Sequence, residues 1–451
     1  MPFMDVTPVR APTTGPTSAT TPEFPAGLVL APFRGLRYDA GVVGDLTQVT
    51  SPPYDVVDAA AVTALEAASD YSVVRLILPR DGAAPGDRYA AAAALLTAWR
   101  DMGALRPDTD AALYVYEQRD PTTGHAQRGL LGALALSPAE DGIVLPHENT
   151  MGGPVADRLA LYSAVGADLE PIFLVHSGPG AARDAVAAVD ADGHTPPVVD
   201  LVLPDGLRHR LWTLTDPDQL AAVAADLLPR TATIADGQHR YATYLQRQAD
   251  AHAAGRGNGP WDSGLTFLVD AGAFGPEVHP IHRVVHGVEA TELARRSVGG
   301  AMVHDLDGQD LESALLALTQ AGRSGAAFLL VSPDGGTVRL LTDLDPARRD
   351  VALPAERSAA WRSLDVSVLH SYLVADLWQL TDDEQTVGYA HSAHEAVRAA
   401  ATSSGTAVLL NPTPVEGVSA VAALGERMPR KSTLFTPKPR SGLLLRDHRD
   451  A

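Results

Sequence analysis

The sequence predicts an α+β protein, a mixed α/β chain of mixed sheets with flanking helices. Three observations predict it. Short apolar runs are interleaved with stretches of helical spacing along the whole chain. Two pairs of such runs close around Pro121/Gly124 and around Pro204-Asp205-Gly206, which are hairpin signals that bring antiparallel strands into the sheets. The stretch Thr231 to Gln248, TATIADGQHRYATYLQRQ, reads as a buried strand that turns through Asp236-Gly237 straight into a helix.

The elements follow in order. Residues 1–25 are rich in Pro and Thr and lack the basic start and apolar centre of a signal peptide, so a disordered extension over 1–26 is expected. Order begins near Gly27 with a strand running into a loop that carries Arg34, Arg37 and Tyr38. Pro52-Pro53 then forces an extended backbone that presents Tyr54 and Asp55. A helix is expected over 59–69, a strand over Ser72–Leu78 with Arg75 in its middle, and a helix over Asp87–Met102. Ala112–Gln118 and Arg128–Leu136 form the first hairpin. Ile143–Leu145 is a short strand ending in Pro146-His147-Glu148-Asn149-Thr150, and Gly152-Gly153-Pro154 breaks the chain before a helix that Asp157-Arg158 opens. Pro171–Val175 is a buried strand, and 197–213 form the second hairpin. Residues 290–350 hold helices and strands without a catalytic cluster. Leu364–Leu380 is a helix, and the tail MPRKSTLFTPKPRSGLLL carries Lys431, Ser432 and Lys438 before a last strand. The length of 451 residues and the 45% hydrophobic content suit about three units. These are a main α/β domain at 27–285 with the site, a smaller α/β insert at 286–360, and a C-terminal α/β segment at 361–451 packing back on the main domain.

Composition excludes several functions. The 35 Lys+Arg against 55 Asp+Glu give a net charge of −20, which argues against nucleic acid or an anionic membrane as partner. The chain has no cysteine, so thiolate metal sites, disulfides and cysteine nucleophiles are absent. No apolar run is long enough to span a bilayer, and a cytoplasmic location is expected. There is no phosphate loop, no Gly-x-Gly-x-x-Gly, no Gly-x-Ser-x-Gly elbow and no His-Glu-x-x-His.

What remains is a set of polar clusters at strand ends: Arg34/Arg37, Tyr54/Asp55, His147/Glu148, Asp157/Arg158, Asp236 to Arg240, Asn411, and Lys431 to Lys438. Ligands of α/β sheets bind at the carboxyl ends of strands. A helix starting at the end of such a strand offers free N–H groups and a positive dipole end to a phosphate, and Gly237 permits close approach. Arg34, Arg37, Arg158, Arg240, Lys431 and Lys438 suit phosphate, with Tyr54, Gln238 and Ser432 beside them. Asp236, Glu148 or Glu117 can serve as base or hold Mg²⁺, and His147 and His239 can orient or relay a proton. The plainer alternative is that Asp236 caps the helix and each cluster is a separate solvated loop.

The chain resembles the family called domain of unknown function 1015. The resemblance is carried by APFRGLRYD (31–39), SPPYDVV (51–57), VLPHENT (144–150), ADGQHRYATY (235–244), HPIHRVV (279–285), LLNPTPVE (409–416) and MPRKSTLFTPK (428–438). The family's Asp-Gly-His-His-Arg is similar to a motif of free-serine kinases in the ParB/sulfiredoxin-like superfamily. That similarity implies a ParB-like strand–turn–helix core, a nucleotide such as ATP with Mg²⁺, and phosphoryl transfer to a small hydroxyl substrate. It maps onto Asp236, Gly237, His239 and Arg240, and it departs at Gln238, where the motif has its first His. Two other readings stand beside it: a non-catalytic nucleotide or metabolite sensor, and a metal-dependent hydrolase using His147, Glu148 and His239. No oligomeric state is assigned.

Overall fold

The structure is a computed structural model that describes residues 25–81, 87–190 and 195–450. Residues 1–24 of the expected disordered extension lie outside the described residues. The fold is mixed α/β, as the interleaved pattern predicts.

The main sheet has nine strands. They are β1 (Leu30–Ala31), β2 (Leu113–Arg119), β3 (Ala126–Ala135), β4 (Val144–Leu145), β5 (Ile172–His176), β6 (Val199–Val202), β7 (Arg208–Leu214), β8 (Ala232–Asp236) and β9 (Ser263–Asp270). Their order is β4-β8-β5-β9-β3-β2-β7-β6, with β1 added antiparallel to β3. Both expected hairpins are present, as β2/β3 and β6/β7. Pairs β4/β8 and β5/β9 are parallel and the other pairs antiparallel. Successive side chains of a strand face opposite sides, so Leu113 and Val115 enter one core while Tyr114 and Tyr116 enter the other. Both faces of the sheet are therefore covered, which explains why its strands read as continuous apolar runs.

A second sheet has six strands, all antiparallel. It is built from β10 (His282–Val285), β11 (Met302–Asp305), β12 (Phe328–Val331), β13 (Val338–Thr342), β14 (Val387–Ala390) and β15 (Thr406–Leu410). Its strands come from before residue 286, from 286–360 and from 361–451. One apolar cluster runs from Phe173 and Phe267 of the main sheet through Phe435 to Phe328, Trp361 and Tyr372. Phe435 of the tail lies edge-on to Phe173 of the main sheet, with ring centroids 6.5 Å apart.

Two local expectations are corrected. Ser72–Leu78 holds a helical turn at Val74–Ile77 rather than a strand. Val73, Val74, Leu76 and Ile77 are all fully buried, with part-exposed Arg75 between them, and so short an apolar run has no periodicity to separate helix from strand. The helix expected from Asp157 begins earlier, at Gly152–Val165 (α1). Pro154 sits in its first turn, where a missing N–H breaks no intrahelical bond. Among the described residues no helix is long and apolar enough to cross a membrane.

Candidate functional site

The strand–turn–helix of 231–248 forms as expected. Strand β8 ends at Asp236, Gly237 takes a left-handed conformation with φ 93°, and the helix Gln238–Ala253 (α2) begins. Gly237 is the N-cap residue and no side chain caps the helix. The reading of Asp236 as a cap is therefore corrected: its carboxylate turns toward cations instead. Strand β4 lies parallel to β8, so the loop after β4 and the start of α2 leave the sheet at the same edge. Between them lies a cleft of about 320 Å³.

Four segments supply most of its lining: Tyr54 and Asp55, the loop from His147 to Met151, Asp236 to Arg240, and the tail with Lys431, Thr433 and Lys438; Ile281 and His391 complete it. Tyr54 is set from behind. Its N–H donates to buried Glu170 at 3.0 Å, and its ring lies 4.4 Å from the guanidinium of Arg158. Arg158 itself is buried, paired with Asp157 and donating to the Ile77 carbonyl at 2.6 Å, so it supports Tyr54 without reaching the cleft.

The loop after β4 is fixed to the helix and to the tail. The Glu148 N–H donates to Gln238 Oε1 at 2.9 Å, and the Met151 N–H donates to His239 Nε2 at 3.0 Å. The second contact makes Nε2 an acceptor and leaves Nδ1 as the protonated nitrogen of neutral His239. Burial pushes this imidazole below the usual histidine range. His147 is 1% exposed; its Nδ1 lies 2.7 Å from the Ile234 carbonyl and its Nε2 3.0 Å from Thr433 Oγ1. A carbonyl only accepts, so Nδ1–H donates and Nε2 accepts from Thr433. Burial also lowers His147. Both nitrogens are engaged, so His147 holds the tail rather than relaying a proton. Glu148 Oε1 accepts the Ser432 N–H at 3.2 Å. Buried Ser432 thus meets the site through its backbone.

Charge is concentrated at Asp236. One of its oxygens pairs with Arg240, the other lies 2.6 Å from Lys438 Nζ, and Lys438 Nζ is also 2.7 Å from Asp55 Oδ2. Burial would raise the Asp236 carboxyl, but Lys438 and Arg240 hold it below the usual carboxylate range. Burial would lower the Lys438 ammonium, and Asp236 and Asp55 raise it. Asp236 therefore stays ionised and is a weak base. Arg240 is 1% exposed and also donates to the Pro171 carbonyl at 2.6 Å. It forms the cleft floor as the partner of Asp236, not as a free phosphate fork.

Arg34 and Arg37 are not brought here. Both are tied to Asp108, Arg34 to its carbonyl at 2.9 Å and Arg37 to its carboxylate. Among the described residues no group of three or more His, Asp and Glu is arranged to hold a metal ion. Asp55 and Thr433 line the cleft from within the clusters Tyr54/Asp55 and Lys431 to Lys438, though neither was given a role from the sequence, and His391 lines it without having been named at all. Asp55 had a local signal in the rigid Pro-Pro-Tyr-Asp loop; His391 had none.

The family described as "Protein of unknown function (DUF1015)" matches residues 30–367. This chain belongs to the DUF1015 family. The match includes Tyr54, His147 and the Asp236 to Arg240 stretch, and the DUF1015 chain adds Lys431 and Lys438 from beyond it. Among curated proteins none matches. Solved structures that match include a point mutant of a free serine kinase in complex with AMP, at TM-score 0.33 and 13% identity, covering 73% of this chain and 89% of that one. Another mutant of a free serine kinase, in complex with ADP, matches at TM-score 0.31 and 14% identity, covering 65% and 84%. SbnI with a C-terminal truncation, from Staphylococcus aureus, matches at TM-score 0.29 and 10% identity, covering 68% and 84%.

Proposed function

We propose that this cleft binds the phosphates of a nucleotide and transfers a phosphoryl group to a small hydroxyl metabolite, in the cytoplasm. One observation carries the reading: the uncapped N-terminus of α2 opens into the same cleft as Lys431, Lys438 and the carboxylates of Asp55, Asp236 and Glu148. Free N–H groups, a positive dipole end and two ammonium groups suit phosphate oxygens. Neutral His239 adds a donor at Nδ1.

Phosphoryl transfer asks mainly for positioning and charge stabilisation. Glu148 is the cleft carboxylate paired with neither Lys438 nor Arg240, its Oε1 accepting the Ser432 N–H, so it is the group to take the proton of the attacking hydroxyl. The substrate oxygen forms a bond to the terminal phosphorus, the bond from that phosphorus to the bridging oxygen breaks, and the shortened nucleotide leaves. Mg²⁺ arriving with the nucleotide would neutralise phosphate charge. Asp55 and Asp236 are the oxygen donors for it, but both face Lys438 in the resting arrangement.

The test is incubation of the protein with ATP, ADP or CTP, Mg²⁺ and a panel of amino acids and other small hydroxyl compounds. Nucleotide-dependent product formation is expected. Absence of binding and of turnover in every combination overturns the reading. Nucleotide-dependent thermal protection without turnover would instead select a sensor. Gln238 in place of a titratable His would suit a sensor, but Gln238 serves here as the acceptor that anchors Glu148, a task that needs no titration.

A further inference from the structure

The ammonium of Lys438 occupies a place of its own making. It lies between Asp236 Oδ1 and Asp55 Oδ2, at 2.6 and 2.7 Å. The backbone that carries it is held by two buried glutamines paired across β2 and β3. Gln118 Nε2 donates to the Lys438 carbonyl at 2.9 Å, Gln127 Nε2 donates to the Pro437 carbonyl at 2.9 Å, and the two amides bond each other at 2.8 Å. Gln118 is 2% and Gln127 0% exposed. Burying an amide is costly unless its groups are satisfied; each glutamine spends a donor on this loop, Gln118 Oε1 accepts from Gln127, and Gln127 Oε1 is buried without a partner. The carboxylates differ in how they are held: Asp236 is fixed by Arg240 and by the end of β8, whereas Asp55 is exposed on a turn anchored by the neighbouring Tyr54 N–H bond to Glu170, with Lys438 as the partner of its carboxylate. A lysine fixed at its backbone, with a flexible stem and a cationic end between one largely buried and one exposed carboxylate, stands where a small oxygen-liganded cation would sit.

We propose that Lys438 is an internal counter-cation that keeps Asp55 and Asp236 closed to a divalent metal until a phosphate ligand draws its ammonium away. This rests on the phosphate-binding reading of the cleft. A phosphate at the α2 N-terminus competes with the carboxylates for Lys438. Once the ammonium turns to it, two ionised carboxylates are uncovered beside the phosphate. Metal then enters with the nucleotide and does not precede it. The chain thereby avoids binding free Mg²⁺ in a site that has no substrate to act on.

Mn²⁺ binding to the full chain, followed by EPR of the free ion without nucleotide, is the test. Lys438→Met is expected to bind Mn²⁺ on the order of tenfold more tightly than the wild type. Asp55→Asn in the Lys438→Met background is expected to lose that gain. Equal Mn²⁺ binding by wild type and Lys438→Met overturns the proposal. Should Lys438→Met not fold, the wild type decides through the ¹⁵N signal of the Lys438 ammonium. That signal is expected to stay unmoved by millimolar Mg²⁺ alone and to shift when ADP binds; movement with Mg²⁺ alone overturns the proposal. Failure of ADP to bind the wild type counts against the nucleotide reading, whereas the Mn²⁺ and Mg²⁺ arms still decide the role of Lys438.

Discussion

Asp236 binds two cations with one carboxylate, and that makes it the residue on which the cleft floor depends. Arg240 behind it is 1% exposed. Asp236→Ala leaves that guanidinium buried and without its carboxylate, which is expected to cost about 3–5 kcal/mol, read as a lower urea midpoint. The pH dependence has a definite sign. The folded carboxyl lies below its ordinary value because Lys438 and Arg240 outweigh burial, so its contribution is complete above the ordinary value and is lost as pH falls through the folded one. The stability advantage of the wild type over Asp236→Ala is expected to hold at neutral pH and to shrink below about pH 4. Gln238 calls for a different experiment. Read locally, it is a histidine position that has lost its titration; in the fold its Oε1 accepts the Glu148 N–H. Gln238→Leu is expected to speed hydrogen exchange at the Glu148 amide, whereas Gln238→His, which keeps an acceptor, is expected to leave it slow. Equal exchange in both variants would show that the loop is held by something else.

At the scale of elements, the turn between β8 and α2 is the most demanding piece of backbone in the site. Gly237 has φ 93°, and a Cβ there would lie 3.0–3.1 Å from the guanidinium of Arg240. Gly237→Ala is expected to cost about 1–2 kcal/mol from the left-handed backbone alone, with further loss from moving Arg240. Equilibrium unfolding measures the sum, and a change below a few tenths of a kcal/mol would contradict it. This element was legible in the sequence because its determinants are local: a β-branched run, an Asp-Gly turn and a run of helix formers. The helical turn at Val74–Ile77 was not legible, since a short apolar run buried at Val73, Val74, Leu76 and Ile77 has no pattern that separates a strand from a helix. Pro154 was read as a breaker because its place in the first turn depends on where α1 starts. The same divide runs through the site. Tyr54, Glu148, His239, Lys431 and Lys438 stand in dense local motifs, and they line the cleft. Arg34 and Arg37 stand in an equally dense motif and go to Asp108. Gln118 and Gln127 carry no local mark at all, because their partners lie 320 and 310 residues away.

The whole molecule brings those distant pieces together by fastening its tail. The last residues return to the main domain at Asp168, which is fully buried. Its carboxylate pairs with Arg247 of α2 at 2.9 Å, Arg446 at 2.8 Å and His448 at 3.0 Å, and it accepts the Leu265 N–H at 3.1 Å. Burial would raise this carboxyl, but Arg247 and His448 lead the groups that hold it far below the usual carboxylate range. Between this anchor and the second sheet, the chain passes Lys431, Thr433, Phe435 and Lys438 through the cleft and the shared core. One carboxylate thus ties α2, β9 and the tail, while the site at the other end of α2 needs residues that only the docked tail supplies. Asp168→Ala leaves Arg446 and Arg247 buried and uncompensated, and a loss of about 3–5 kcal/mol is expected. The informative readout is where that loss falls. If the tail docks as a unit, hydrogen exchange in Asp168→Ala rises from Met428 to the C-terminus and nucleotide affinity falls with it, while β2, β3 and β9 stay protected. Uniform exchange across the main sheet would show instead that the anchor and the core unfold together, and that the tail has no separate docking step.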